Sequence, residues 1–190
     1  MELSLIISIF LGIGLATAVG FRVFLPLLIL SICTYYDIIP LQEGWQWVGS
    51  IPALVLLATA TVVEILGYYI PWVDNLLDTI AVPLAGIAGT AVMLATLGDV
   101  QPWITWSLAI IAGGGTAAIV AGTTSATRAA STVTTGGLAN PVVSTLETGV
   151  SVVMSIISIF IPILAVILAV FILFGINKFY KRIKNRKRKI

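Results

Sequence analysis

The chain has 190 residues, 59% of them hydrophobic and only 9% charged, with a mean hydropathy of +1.12. A soluble domain carries roughly 25% charged residues, so this chain cannot clothe a water-facing surface, and its length allows one compact bundle rather than two domains. The net charge of +2 hides an asymmetry, because eight of the ten basic residues lie between Lys178 and Lys189.

Taken in order, five apolar stretches are long enough to cross a hydrocarbon layer of about 30 Å, which takes about 20 residues per helix. The first, Leu3 to Cys33, is overlong for one untilted span, and Gly20 and Pro26 predict a kink or break inside it. The N-terminus has no basic region ahead of a short apolar core, so no removable signal peptide is expected. The second stretch is Ile51 to Val73, the third Ile80 to Gly98, and the fourth Pro102 to about Gly122. The fifth, Gly149 to Ile176, contains Pro162 and reads as one kinked or tilted helix continuous with the basic tail. Tyr35, Tyr36, Trp45 and Trp47, then Tyr68, Tyr69 and Trp72, then Trp103 and Trp106, fall at span ends, where rings with a polar tip sit at headgroup level.

Between the last two stretches, Thr123 to Ser144 is small and polar yet nearly uncharged. That composition suits tight helix packing, or a non-helical stretch lining a protein-enclosed cavity, with an ordinary loop as the alternative. Small residues recur every fourth position in Gly12, Ala16 and Gly20, and again in Gly114, Ala118, Gly122, Ala126 and Ala130. Such stripes let helix backbones approach closely in lipid.

The basic run after the last span is the setting of a juxtamembrane anchor, and the positive-inside rule places it in the cytoplasm. Nucleic-acid binding is not expected. The predicted organisation is therefore a transmembrane helical domain over 1–177 and a basic cytoplasmic tail over 178–190, in an all-α, polytopic bundle of about five spans.

Outside the tail the only basic residues are Arg22 and Arg128, each two positions after a ladder residue, Gly20 and Ala126. The segments 73–79 and 142–148 echo each other, and both place an acid and a threonine at the opening of a span. Together these features suggest two diverged, inverted repeats with broken helices, as in transporters whose site lies at the repeat interface. Asp74, Asp78 and Glu147 also suit the helix macrodipole, and Asn75 or Ser144 a cap. Glu64 lies in the middle of an apolar run, where a carboxylate costs at least about 2.5 kcal/mol unless neutralised. Arg22 or Arg128 is its expected partner.

The candidate substrate-binding residues are Arg22, Glu64, Asp74, Asp78, Arg128, Asn140, Ser144 and Glu147, with Arg128 as the principal contact. Histidine is absent and the single cysteine, Cys33, sits in a plain apolar setting. An enzyme, a metal site and a cofactor are therefore not expected. The expected function is a small transporter or lipid-translocating protein for an anionic substrate, since arginine holds phosphate or carboxylate through its fork. The alternative is a structural or accessory membrane protein. Membrane lipids, a small anionic or lipid-phosphate substrate and a second copy of the chain are the expected partners.

The string TRAASTVTTGGLANPVVSTLE, Thr127 to Glu147, resembles the signature of bacterial membrane proteins grouped as domain of unknown function 4126. The resemblance extends through GLATAVGFRVFLPLL at Gly14 to Leu28, then Glu64, Pro71, Val73 and Asp74. It implies a multi-pass protein of the bacterial inner membrane and assigns no activity. The chain departs from the family pattern at Tyr68 and Tyr69, where that pattern has an acidic and a basic residue. It departs also just before Pro83, where the pattern has an arginine, and at Thr148, where it has an acid.

Overall fold

The computed structural model describes residues 2–98 and 100–187, and among these the fold is all helical. Eight α-helices follow one another: α1 (Glu2–Phe21), α2 (Phe24–Tyr35), α3 (Ile51–Gly67), α4 (Pro71–Thr96), α5 (Pro102–Leu108), α6 (Gly115–Thr135), α7 (Asn140–Phe160) and α8 (Pro162–Lys187). A 3-10 segment, Glu43–Gly49, precedes α3, and a π-helical segment, Ala109–Gly114, joins α5 to α6. Proline stands in the opening turn of α3, α4, α5 and α7, where its missing N–H has no intrahelical partner to lose.

Four uninterrupted helical stretches are long and apolar enough to cross a membrane: Ser4–Phe21, Val73–Thr96, Pro102–Thr135 and Asn140–Phe160. A fifth is gained if Glu43–Gly49 and α3, bent by 65°, count as one span. The chain is thus built as a multi-pass membrane protein.

The predicted break in the first stretch falls at Arg22 and Val23, between α1 and α2. Three boundaries differ from the sequence reading. Helix α4 starts at Pro71 rather than Ile80, so Asp74 and Asp78 lie in its first two turns. The small polar segment is not a loop: it is helical to Thr135, turns through Gly136 and Gly137 at positive φ, and resumes as α7 at Asn140. The fifth stretch is not one kinked helix, because it breaks at Ile161 into α7 and α8.

Contacts fix the directions of the helices. Arg22 meets Ser144 and Thr148, Ala18 meets Ser151, and Gly14 faces Ser158, so α1 and α7 are antiparallel. Helix α4 opposes α6 in the same way, with Asp78 at Ser125, Val82 at Gly122 and Gly86 near Ala118. Helix α2 opposes α3, with Ser31 bonded to the Val48 carbonyl and the N-terminus of α2 at Glu64. Consequently the end of α1, the start of α2, the end of α3, the start of α4, the end of α6 and the start of α7 gather at one end of the bundle. Leu15, Val19, Leu30, Val92 and Ala117 fill the core beneath that end.

Most of the described aromatic rings behave as expected, although Trp45 packs half-buried against the core. Tyr35, Tyr36, Trp47, Trp103 and Trp106 are exposed at the opposite end, and Tyr69 is exposed at the gathered end. Tyr68 is buried instead. The side chains of Trp72 and of Arg182 onward lie outside the described residues.

Candidate functional site

The gathered ends bring together all eight residues singled out from the sequence. Arg128 lies two turns before the end of α6 and Glu147 two turns into α7, which sets the cluster about 10 Å below the helix ends at 1.5 Å per residue. Both guanidinium groups are almost wholly buried, at 1% exposure.

Every nitrogen of Arg128 donates to a carboxylate. Its Nε donates to Asp78 Oδ1 and Oδ2 at 3.0 and 3.2 Å, its Nη2 reaches Asp78 Oδ1 at 2.5 Å, and its Nη1 donates to Glu147 Oε2. Asp74 Oδ1 stands further off, 3.7 Å from Nε. Ser125 adds a hydroxyl to Asp78 Oδ1 at 3.2 Å. Helix α4 starts early enough to deliver Asp78 to the fork of Arg128, so each of its three nitrogens has a carboxylate acceptor.

Arg22 is held differently. Its Nε donates to Thr148 Oγ1 at 3.0 Å, and its Nη2 donates to the Ser144 carbonyl at 2.8 Å and to Ser144 Oγ. Glu147 Oε2 lies 3.6 Å from Nη2, so one carboxylate stands between the two arginines. Nη1 of Arg22 is buried and has no hydrogen-bond partner.

Glu64 closes no ion pair with either arginine among the described residues. Its oxygens accept the backbone N–H groups of Val23 and Phe24 at 2.7 and 3.0 Å. The reason is local: the break after α1 leaves the first amides of α2 without intrahelical partners, and a carboxylate at a helix N-terminus satisfies them and meets the positive end of the macrodipole. The costly charge that marked Glu64 in the sequence is thus spent on anchoring α2.

Asn140, the first residue of α7, donates from Nδ2 to Asp74 Oδ2 at 2.8 Å and to Thr132 Oγ1 at 2.9 Å. It ties the starts of α4 and α7 to the end of α6. The partner oxygens, Asp74 Oδ1 and Asn140 Oδ1, are buried without a hydrogen bond.

Sequence reasoning missed the role of Tyr68. Its ring centroid lies 4.1 Å from the Cζ of Arg22 and 4.1 Å from the Cζ of Arg128, so one ring faces two cations. In the sequence Thr148 stands out as part of an echo and as a departure from the family pattern, and Thr132 and Ser125 only as members of a polar segment. Among the described residues no three His, Cys, Asp or Glu side chains are grouped to hold a metal ion.

The two echoing segments open α4 and α7 at the same end, and both ladder helices, α1 and α6, finish there. Helices α1 and α6 also run in parallel, since Gly12 and Gly113 both meet Met93 while Gly20 meets Val120. Whatever relates the halves is therefore a parallel arrangement and not an inverted one.

The model of the family described as a domain of unknown function (DUF4126) matches residues 9–182, and the chain belongs to that family. No curated protein and no solved structure matches it.

Proposed function

We propose that this member of the family is a small carrier, rather than an enzyme, that binds an anionic group at Arg22 and moves it through or along the bacterial inner membrane. The observation that supports this is the Nη1 of Arg22, a guanidinium nitrogen buried at the gathered helix ends with no acceptor. An unsatisfied buried donor costs about 1–3 kcal/mol, more when charged. An oxyanion placed there would satisfy it, with the Ser144 and Thr148 hydroxyls beside it. Arg22 takes the role suggested by the sequence for Arg128, because every nitrogen of Arg128 already has a carboxylate acceptor whereas Nη1 of Arg22 has none.

Phosphate and carboxylate share the required chemistry, whether carried on a lipid headgroup or on a small solute. Native mass spectrometry with anionic lipids, and phosphate or carboxylate flux into liposomes, separate the two sources. Wild type, Arg22→Lys, Arg22→Gln and Arg128→Lys are compared after each is shown to fold. Arg22→Lys keeps the charge and loses the fork, so binding is expected to weaken tenfold or more. Arg22→Gln should abolish it. If folded Arg22→Gln binds and moves the same anions as wild type, the accessory reading replaces this one. That second reading draws its support from Arg128, whose closed set of ion pairs suffices to lock α4, α6 and α7 together.

A further inference from the structure

Arg22 and Arg128 share the polar end with Glu64, Asp74, Asp78 and Glu147, so fully ionised side chains would leave two negative charges in excess. Burying uncompensated charge is strongly unfavourable. An added anion would deepen the imbalance. The four carboxylates are not held alike, however. Glu64 has the amides of α2, Asp78 the fork of Arg128, and Glu147 both arginines.

Asp74 is the exception. It is 2% exposed, its nearest guanidinium nitrogen is beyond hydrogen-bond reach at 3.7 Å, and its Oδ1 has no donor. The neighbouring Asn140, 6% exposed, has the matching deficit: both hydrogens of its Nδ2 are donated and its Oδ1 receives nothing. Two buried acceptors on side chains already joined at 2.8 Å lack the same thing, a donor. A metal cation suits the pair poorly, with Arg128 beside it and no third ligating carboxylate grouped there.

We infer that Asp74, joined to Asn140, is the site where the network takes up a proton. A hydronium ion in the water at the gathered end gives up the proton, its O–H bond breaking to leave neutral water, and the proton bonds to Oδ1. The carboxylate becomes a neutral acid, and its O–H is the donor that Asn140 Oδ1 lacks. No other bond is made or broken, and the charge excess falls by one. The charged groups that act on this site are Asp78 on α4, Arg128 on α6, Glu147 on α7 and Arg22 at the end of α1, with Glu64 and Tyr68 at the end of α3 in the same cluster. Where this uptake is linked to an arriving anion it rests on the carrier reading; the protonation itself does not.

The test is infrared difference spectroscopy of the full-length protein in detergent, across a pH series and with exchange of H2O for D2O. Wild type should show a pH-dependent carboxylic-acid C=O band that shifts on deuteration. Asp74→Asn keeps the shape of the acid and should lose that band. Asn140→Ala should retain it with a displaced titration midpoint. Persistence of the band in folded Asp74→Asn, or its absence from wild type at every pH, overturns the assignment. Should Asp74→Asn fail to fold, Asn140→Ala decides, and an unmoved midpoint overturns it. In liposomes holding a pH dye, an inward phosphate gradient should carry protons with wild type and not with Asp74→Asn. Phosphate flux without proton movement removes the link to the anion, whereas a wild type that moves no anion removes the carrier reading and leaves the spectroscopic result standing.

Discussion

Tyr68 meets two guanidinium groups at the same distance from its ring, in a setting with little water to screen them. A desolvated cation over an aromatic face is worth about 2 kcal/mol. Tyr68→Phe keeps the ring and should leave thermal stability in detergent within about 1 kcal/mol of wild type, while Tyr68→Leu removes it from both cations and should cost about 2 kcal/mol or more. Equal losses in the two variants would assign the effect to the hydroxyl instead. The sequence offered no access to this role, because Tyr69 and Trp72 beside it mark an interface. Tyr69 obeys that mark, exposed and bonded to Thr145. One residue earlier the side chain points inward, and only the positions of both arginines reveal why. Glu64 shows the same limit from the other side. Its charge was legible as a cost in an apolar run, yet its partners are backbone amides released by a helix break, which no count of side chains displays.

At the scale of helices, the closest approach is between α4 and the π-helical segment. A Cβ on Gly89 would come within 2.8 Å of the Gly113 carbonyl oxygen, and one on Gly113 within 2.5 Å of the Gly89 oxygen. The bulge places Gly113 and Gly114 against Gly89 and Gly86. With no hydrophobic effect between helices in lipid, this contact depends on packing alone. Gly89→Val should therefore destabilise the bundle by about 1–3 kcal/mol, the range for overpacking. Gly149→Ala, whose added carbon meets nothing within 4 Å, should be close to neutral. A Gly89→Val protein as stable as wild type would mean that the helices separate without loss. The four-residue ladder through Gly114, Ala118 and Gly122 announced a packing stripe, and the stripe does face α4. What composition did not announce was that the helix continues through Thr123 to Thr135. Thr and Ser there bond back to carbonyls four residues earlier, as Thr127 does to Thr123 and Thr132 to Arg128. Apart from Ser125, which reaches Asp78, the hydroxyls of Thr123 to Thr135 are bonded within the helix.

For the whole molecule, the break at Ile161 decides where the basic tail emerges. Ala165 packs against Gly14 in α1, and further along α8 Leu173, Ile176 and Asn177 lie beside Ala118, Ile119, Gly122 and Thr123 of α6. Since Gly20 sits level with Val120, α8 advances from the level of Gly14 toward that of Gly20 and so runs back against α7. It delivers Lys178 and Lys181 to the end that holds the arginine–carboxylate cluster. The positive-inside rule predicts the cytoplasmic side for that end, and with it for the Gly136–Gly137 turn and the proposed proton site. The loop around Gly44, packed near Thr96 and Leu97, belongs to the opposite face. Single cysteines at Leu138, Lys181 and Gly44, in a chain whose buried Cys33 is replaced by alanine, put this to the test. An impermeant thiol reagent applied to the periplasmic side should modify Gly44→Cys in intact cells. It should reach Leu138→Cys and Lys181→Cys only after the membrane is opened. Labelling of Leu138→Cys and Lys181→Cys from opposite sides would mean that α8 does not return to the cluster. Labelling of both from outside would keep the fold and reverse its orientation, so that the proton for Asp74 would be drawn from the periplasm.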